Sequence, residues 1–128
     1  MPLPENLAES ILAQCADAVI YADRSGVIRF WNAASEHLFG FTADEALGQS
    51  LDLIIPERLR AAHWTGFDRA MAQGKTRLNG RPTLTKSLHK SGESIYVEMS
   101  FAVVGDGAEG PVGSVAIARL KEAPKRAS

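Results

Sequence analysis

His63 is the residue whose type and spacing come nearest to chemistry. It shares one stripe with Leu59, Phe67 and Ala70/Met71, each about a turn apart within a helix read over Glu57–Gln73. An imidazole on such a stripe points into the apolar interior. There one ring nitrogen can ligate a metal while the other is left for a carbonyl or water. The same position also suits a core histidine bonded to a backbone carbonyl, and at this point both readings stand.

The remaining reactive side chains offer less. Cys15 is the only cysteine, which excludes an internal disulfide, and it precedes the first strand, where a buried structural thiol is the expectation. His37 and His89 fall near a helix start and a hairpin, both surface positions. No H-E-x-x-H, P-loop or G-x-S-x-G occurs, and no nucleophile–base pair is visible, so the chain reads as a non-enzyme. A net charge of −1 argues against a nucleic-acid footprint. No apolar run reaches the ~20 residues that span a bilayer, and the start lacks the pattern of a signal peptide. These features point to a cytoplasmic protein.

The elements that must position His63 follow from the pattern of the chain. Pro4–Gln14 reads as a helix with Leu3, Leu7 and Ile11 in one apolar strip. Ala18–Ala22 and Val27–Trp31 read as strands joined at Arg24-Ser25-Gly26. Asn32 is a good N-cap for a helix over Ala33–Phe39, which Gly40 ends. Thr42-Ala43-Asp44-Glu45 is a capping box for a second short helix, and Leu51–Ile55 is a brief turn closed by Pro56. After the long helix, Thr76–Leu88 reads as a strand locally weakened by Pro82. Ile95, Val97, Met99, Phe101 and Val103 alternate with polar residues along the next strand. The last strand, Val112–Leu120, runs through Val115 and Ile117. The class expected is α+β, an antiparallel sheet with helices on one face. At 128 residues the chain is one domain by size. It divides into a flanking helix (1–14), a main domain (15–120) and a tail (121–128).

Several short motifs, in order, give this layout a family likeness. They are Asp23-x-x-Gly26-x-Ile28, Phe30-x-Asn32-x-Ala34, the Leu38–Gly48 block L-F-G-F-T-x-x-E-x-x-G, Ile55-Pro56 and Lys90-Ser91-Gly92-Glu93. Together they resemble the PAS family of sensor modules over about Glu9–Arg119. The resemblance implies five antiparallel strands in a curved sheet, closed by helices over a pocket. It implies a signal-transduction module, the input part of a histidine kinase or a transcription regulator. Pairing through the flanking helix into a homodimer is implied as well, with Leu3, Leu7 and Ile11 at the interface.

The segment Glu57–Arg69, E-R-L-R-A-A-H-W-T-G-F-D-R, is similar to the long helix of the FixL-type oxygen-sensing haem PAS domains. That similarity makes His63 the proximal ligand, with Val97, Met99 and Phe101 as an apolar wall. The subfamily's distal arginine falls at Thr83, with Arg81 two residues earlier, and its leading apolar pair falls at Leu78 and Asn79. The pocket implied is made of His63, Leu59, Phe67, Met71, Leu78, Arg81, Val97, Met99, Phe101, Val115 and Ile117. Arg58 and Arg60 could reach haem propionates from the outer side of the helix. Three functions follow: a sensor of a small ligand, a ligand-free interaction module with a pocket filled by its own side chains, and a haem-based gas sensor using His63.

Overall fold

The computed structural model describes residues 3–76, 78, 80–105 and 110–121. A short helix α1 (Leu7–Gln14) leads into strands β1 (Ala18–Asp23) and β2 (Ile28–Trp31). Helices α2 (Ala33–Phe39) and α3 (Ala43–Ala46) follow, then two 3-10 turns (Leu51–Ile54 and Glu57–Leu59) and the long helix α4 (Arg60–Gln73). Strands β3 (Thr83–Leu88), β4 (Ser94–Gly105) and β5 (Pro111–Lys121) complete one antiparallel sheet in the order β2-β1-β5-β4-β3. This is the five-stranded α+β arrangement that the sequence implied.

Local chemistry explains the crowded region between β1 and α3. Asp23 Oδ1 accepts the amides of Ser25 (2.9 Å) and Val27 (3.1 Å), so the carboxylate folds the β1–β2 turn over itself. Gly26 takes φ +79°, a left-handed conformation that glycine reaches without a side-chain penalty. Thr42 and Glu45 make the full reciprocal capping box on α3. Glu45 also pairs with Lys90, and Lys90 N donates to Phe39 O (2.9 Å), which docks the β3–β4 hairpin on the α2–α3 junction.

Asn32 does more than cap. Its Oδ1 accepts from Ser35 N (3.0 Å) and Val19 N (3.0 Å), and its Nδ2 donates to Leu12 O (2.9 Å) and Asp17 O (3.1 Å). One buried amide therefore joins α1, β1 and α2. The Ser35 hydroxyl, itself fully buried, lies within bonding distance of both Asn32 Oδ1 and Val19 O.

Four expectations need correction. The first helix begins at Leu7 rather than Pro4, and none of its residues is buried: Ile11 is 55% exposed, and Leu3, ahead of the helix, is 75% exposed. The outer face of the sheet therefore does not cover its apolar strip. The long helix is split, with Glu57–Leu59 wound as a 3-10 turn before α4. The third strand begins at Thr83 instead of Thr76, because Pro82 lacks an N–H for a ladder and Gly80 turns at φ +80°. Asn79 lies outside the described residues, as does the tail beyond Lys121.

The fourth correction concerns β5. Ala116 stands opposite both Ile20 and Phe101, so it shares their inward face, with Ser114 on the same side. Val115 and Ile117 then fall on the outer face, where Ile117 is 41% exposed. A period of two allows only one of the two sets inside.

Replacing Asn32 with Ala should be costly, since it strands two buried amides and leaves two partly buried carbonyls unpaired. We expect a loss of about 3 kcal/mol, measured as a shift of the urea midpoint at unchanged slope.

Candidate functional site

A cavity of about 420 Å3 lies between the inner face of the sheet and α4. Its size falls in the range that small ligands and cofactors occupy. One wall is α4, which turns Phe67 and Met71 inward as buried side chains. Leu59 and His63 extend that wall toward the helix start. The opposite wall is the sheet, with Met99 and Phe101 from β4. Leu78 and Arg81, from the segment between α4 and β3, close one side. Among the described residues the lining is mostly apolar and contains no aspartate or glutamate.

Three residues expected in the pocket do not line it. Val97 is fully buried on the inner side of β4 but belongs to the packed core. Val115 and Ile117 point away, for the register reason given above. Their places are taken by Ser114 and Ala116, small side chains that leave the space in front of β5 open. Ile20, Ala22, Leu51 and Ile54 also line the cavity and were missed. Ala18–Ala22 is apolar at every position, so its sequence does not say which face looks inward. Leu51–Ile54 reads only as a connector. Cys15, expected buried, is half-buried. His37 is exposed, and the His89 ring packs on Gly40.

Burial and its neighbours set the state of His63. Its Nδ1 is buried and has no hydrogen-bond partner among the described residues. Burial pushes the imidazole below its ordinary pKa, against the opposing pull of the Asp52 and Asp68 carboxylates. The ring is therefore neutral near pH 7, the form that carries a lone pair for a metal. Trp64 stands edge-on to it, with centroids 4.7 Å apart at 78°, and Phe67 lies at 6.0 Å.

No group of three or more His, Cys, Asp or Glu that could hold a metal ion occurs among the described residues. A bare ion caged by side chains thus has no donor set here, whereas a metal carried by its own macrocycle needs one axial donor from the protein. His63 offers one. Arg81 also lines the cavity and turns its Nε to Leu78 O (3.2 Å). Thr83, in the register of the distal arginine, stands opposite Met99 and does not line the cavity.

Comparison with known proteins accords with this geometry. The family model described as the PAS fold matches residues 6–120. The chain is 28% identical over 105 residues to the sensor protein FixL of Bradyrhizobium diazoefficiens, covering 82% of this chain and 21% of that protein. It is 29% identical over 119 residues to the oxygen sensor protein DosP of Escherichia coli, covering 90% of this chain and 15% of that protein. The chain thus spans about a fifth or less of these curated relatives. Among solved structures, the PAS domain of a protein from Colwellia psychrerythraea superposes with a TM-score of 0.77 at 23% identity, over 89% of this chain and 93% of that one.

The lowered pKa of His63 gives a pH test with a definite sign. The unfolded chain takes up a proton near the ordinary value of 6.5, while the folded chain resists until lower pH. Stability should therefore fall as pH drops below about 6.5 and level off below the folded pKa. That component should vanish in His63→Leu. Melting temperatures of the two proteins from pH 8 to pH 5 measure it, and parallel curves would contradict the assignment.

Proposed function

This chain belongs to the PAS family, and we propose that it is a haem-bearing sensory module with His63 as the protein's ligand to the iron. The observation that carries the reading is the neutral, half-buried His63 on the wall of an apolar cavity, where one ring nitrogen carries a lone pair for the iron. Leu59, Phe67 and Met71 on one wall and Met99 and Phe101 on the other supply the apolar faces that a flat macrocycle requires. When bound, haem would supply an iron with an open coordination position for a diatomic gas. The chain's own residues exclude water, hold His63 neutral and set how closely α4 approaches the sheet.

The role is relay rather than catalysis. A change in pocket packing biases a two-state arrangement, which needs only a few kcal/mol of differential affinity. No helix among the described residues is long and apolar enough to cross a membrane. The module works in the cytoplasm, as the input part of a histidine kinase or a transcription regulator. Titration of the purified protein with hemin should give a Soret band that saturates at one equivalent and survives gel filtration. His63→Ala should lose more than the roughly 10- to 100-fold in affinity that follows when a group hydrogen-bonded to a metal ligand is removed. A wild-type protein that takes up no hemin would retire this reading.

The strip of Leu3, half-buried Leu7 and Ile11, with Leu3 and Ile11 exposed, supports pairing of two copies through α1 and the residues just ahead of it. The same strip favours a second reading, a module that acts by pairing alone with no ligand in its cavity. Light scattering should give twice the chain mass for the wild type and the chain mass for Leu7→Asp/Ile11→Asp. A monomeric wild type would count against pairing, whatever the hemin result.

A further inference from the structure

A metal-bound histidine is normally oriented by a hydrogen bond from its second nitrogen to a carbonyl, carboxylate or water. Among the described residues His63 Nδ1 makes no such bond. What orients the ring must therefore be packing, and the nearest candidate is Trp64. Its edge-on contact with His63 is closer than the Phe67 contact, and Trp64 itself sits edge-on to Phe67 at 5.2 Å.

Trp64 is held from two further directions. Its Nε1 donates to Asp52 Oδ1 (2.8 Å), on the 3-10 turn Leu51–Ile54. Its six-membered ring lies flush on Gly26, where a Cβ would fall 2.2 Å from Trp64 Cη2. Gly26 O accepts Leu51 N (3.0 Å), so the β1–β2 turn and the 3-10 turn are one connected seat. The indole bridges that seat and the imidazole.

We infer that Trp64 is a positioning residue for His63, locked by Asp52 and Gly26, and that it does the orienting work usually done by a hydrogen bond to the imidazole. The inference rests on the haem reading for its functional meaning, but the orientation of the ring does not require haem. It also gives the pocket a physical link to the β1–β2 turn. A displacement of α4 must either carry the indole off Gly26 or strain its bond to Asp52.

Two readouts test this, hemin affinity and the ring signals of selectively 13C-labelled histidine in hemin-free protein. Trp64→Leu should weaken hemin binding about 10- to 100-fold, the range seen when groups that orient a ligand are lost. In the same variant the His63 ring signals should move toward rotationally averaged positions. Asp52→Leu should act in the same direction by about tenfold. Asp52→Asn should recover most of that loss, because its amide oxygen still accepts from the indole. Should Trp64→Leu fail to fold, the two Asp52 variants carry the test, since they change the indole's bond and leave its contacts with Gly26 and His63 in place.

A folded Trp64→Leu protein with wild-type hemin affinity, or a folded Asp52→Leu protein with wild-type affinity and wild-type ring signals, would overturn the inference. A wild type that binds no hemin overturns only the haem reading. The ring signals of the hemin-free variants then decide the role of Trp64 alone.

Discussion

Asn32 is the side chain on which the largest share of the structure converges. A helix cap usually satisfies one or two orphan amides of its own helix. Here the carboxamide oxygen caps α2 and also receives Val19 N from β1, while the nitrogen end holds two carbonyls on the approach from α1. The oxygen end lies out of water, where a half-satisfied polar group is expensive and a fully satisfied one fixes geometry. The consequence is a rigid corner joining the flanking helix, the first strand and the first covering helix. The rest of the sheet and the cavity are built outward from it.

The cavity exists because large and small residues are distributed unevenly over the inner face. β4 contributes Met99 and Phe101, whereas β1 and β5 contribute Ala22, Ser114 and Ala116 at the floor. Interiors are normally filled to crystal density. A sheet that keeps alanine and serine on its central strands beneath a long helix therefore leaves room for something else. On the helix side, Phe67 and Met71 are buried while His63 is only partly so. His63 thus sits at the boundary between the packed core and the open space.

Turn and cap chemistry made the first half of the fold legible in the sequence. Asp23 and Gly26, Asn32, Gly40 and the Thr42–Glu45 box each state a local geometry, and the structure adopts each of them. The helical stripe through His63 was equally legible, because α4 buries one side only. Two features were not. The last strand alternates Val115 and Ile117 with Ser114 and Ala116, and apolarity alone points the first pair inward. Only pairing with Ile20 and Phe101 reveals that small residues face the cavity. Trp64 was also silent in the sequence, since its partners Gly26 and Asp52 are distant along the chain and meet it only once α4 is docked.

The strand order has a bearing on how the molecule comes into being. β1 lies beside β5, so that Ala18 finds its register partner only when Ala118 has been made. At ribosomal speeds of about 5–20 residues per second, the first hairpin waits roughly 5–20 s with one edge unpaired. Such distant pairing raises contact order and slows closure of the sheet. During that interval the β1–β2 hairpin depends on its own turn, on Asn32 and on the early helices to keep an apolar strand from straying. The density of hydrogen bonds around that corner thus serves nascent chains as well as finished ones.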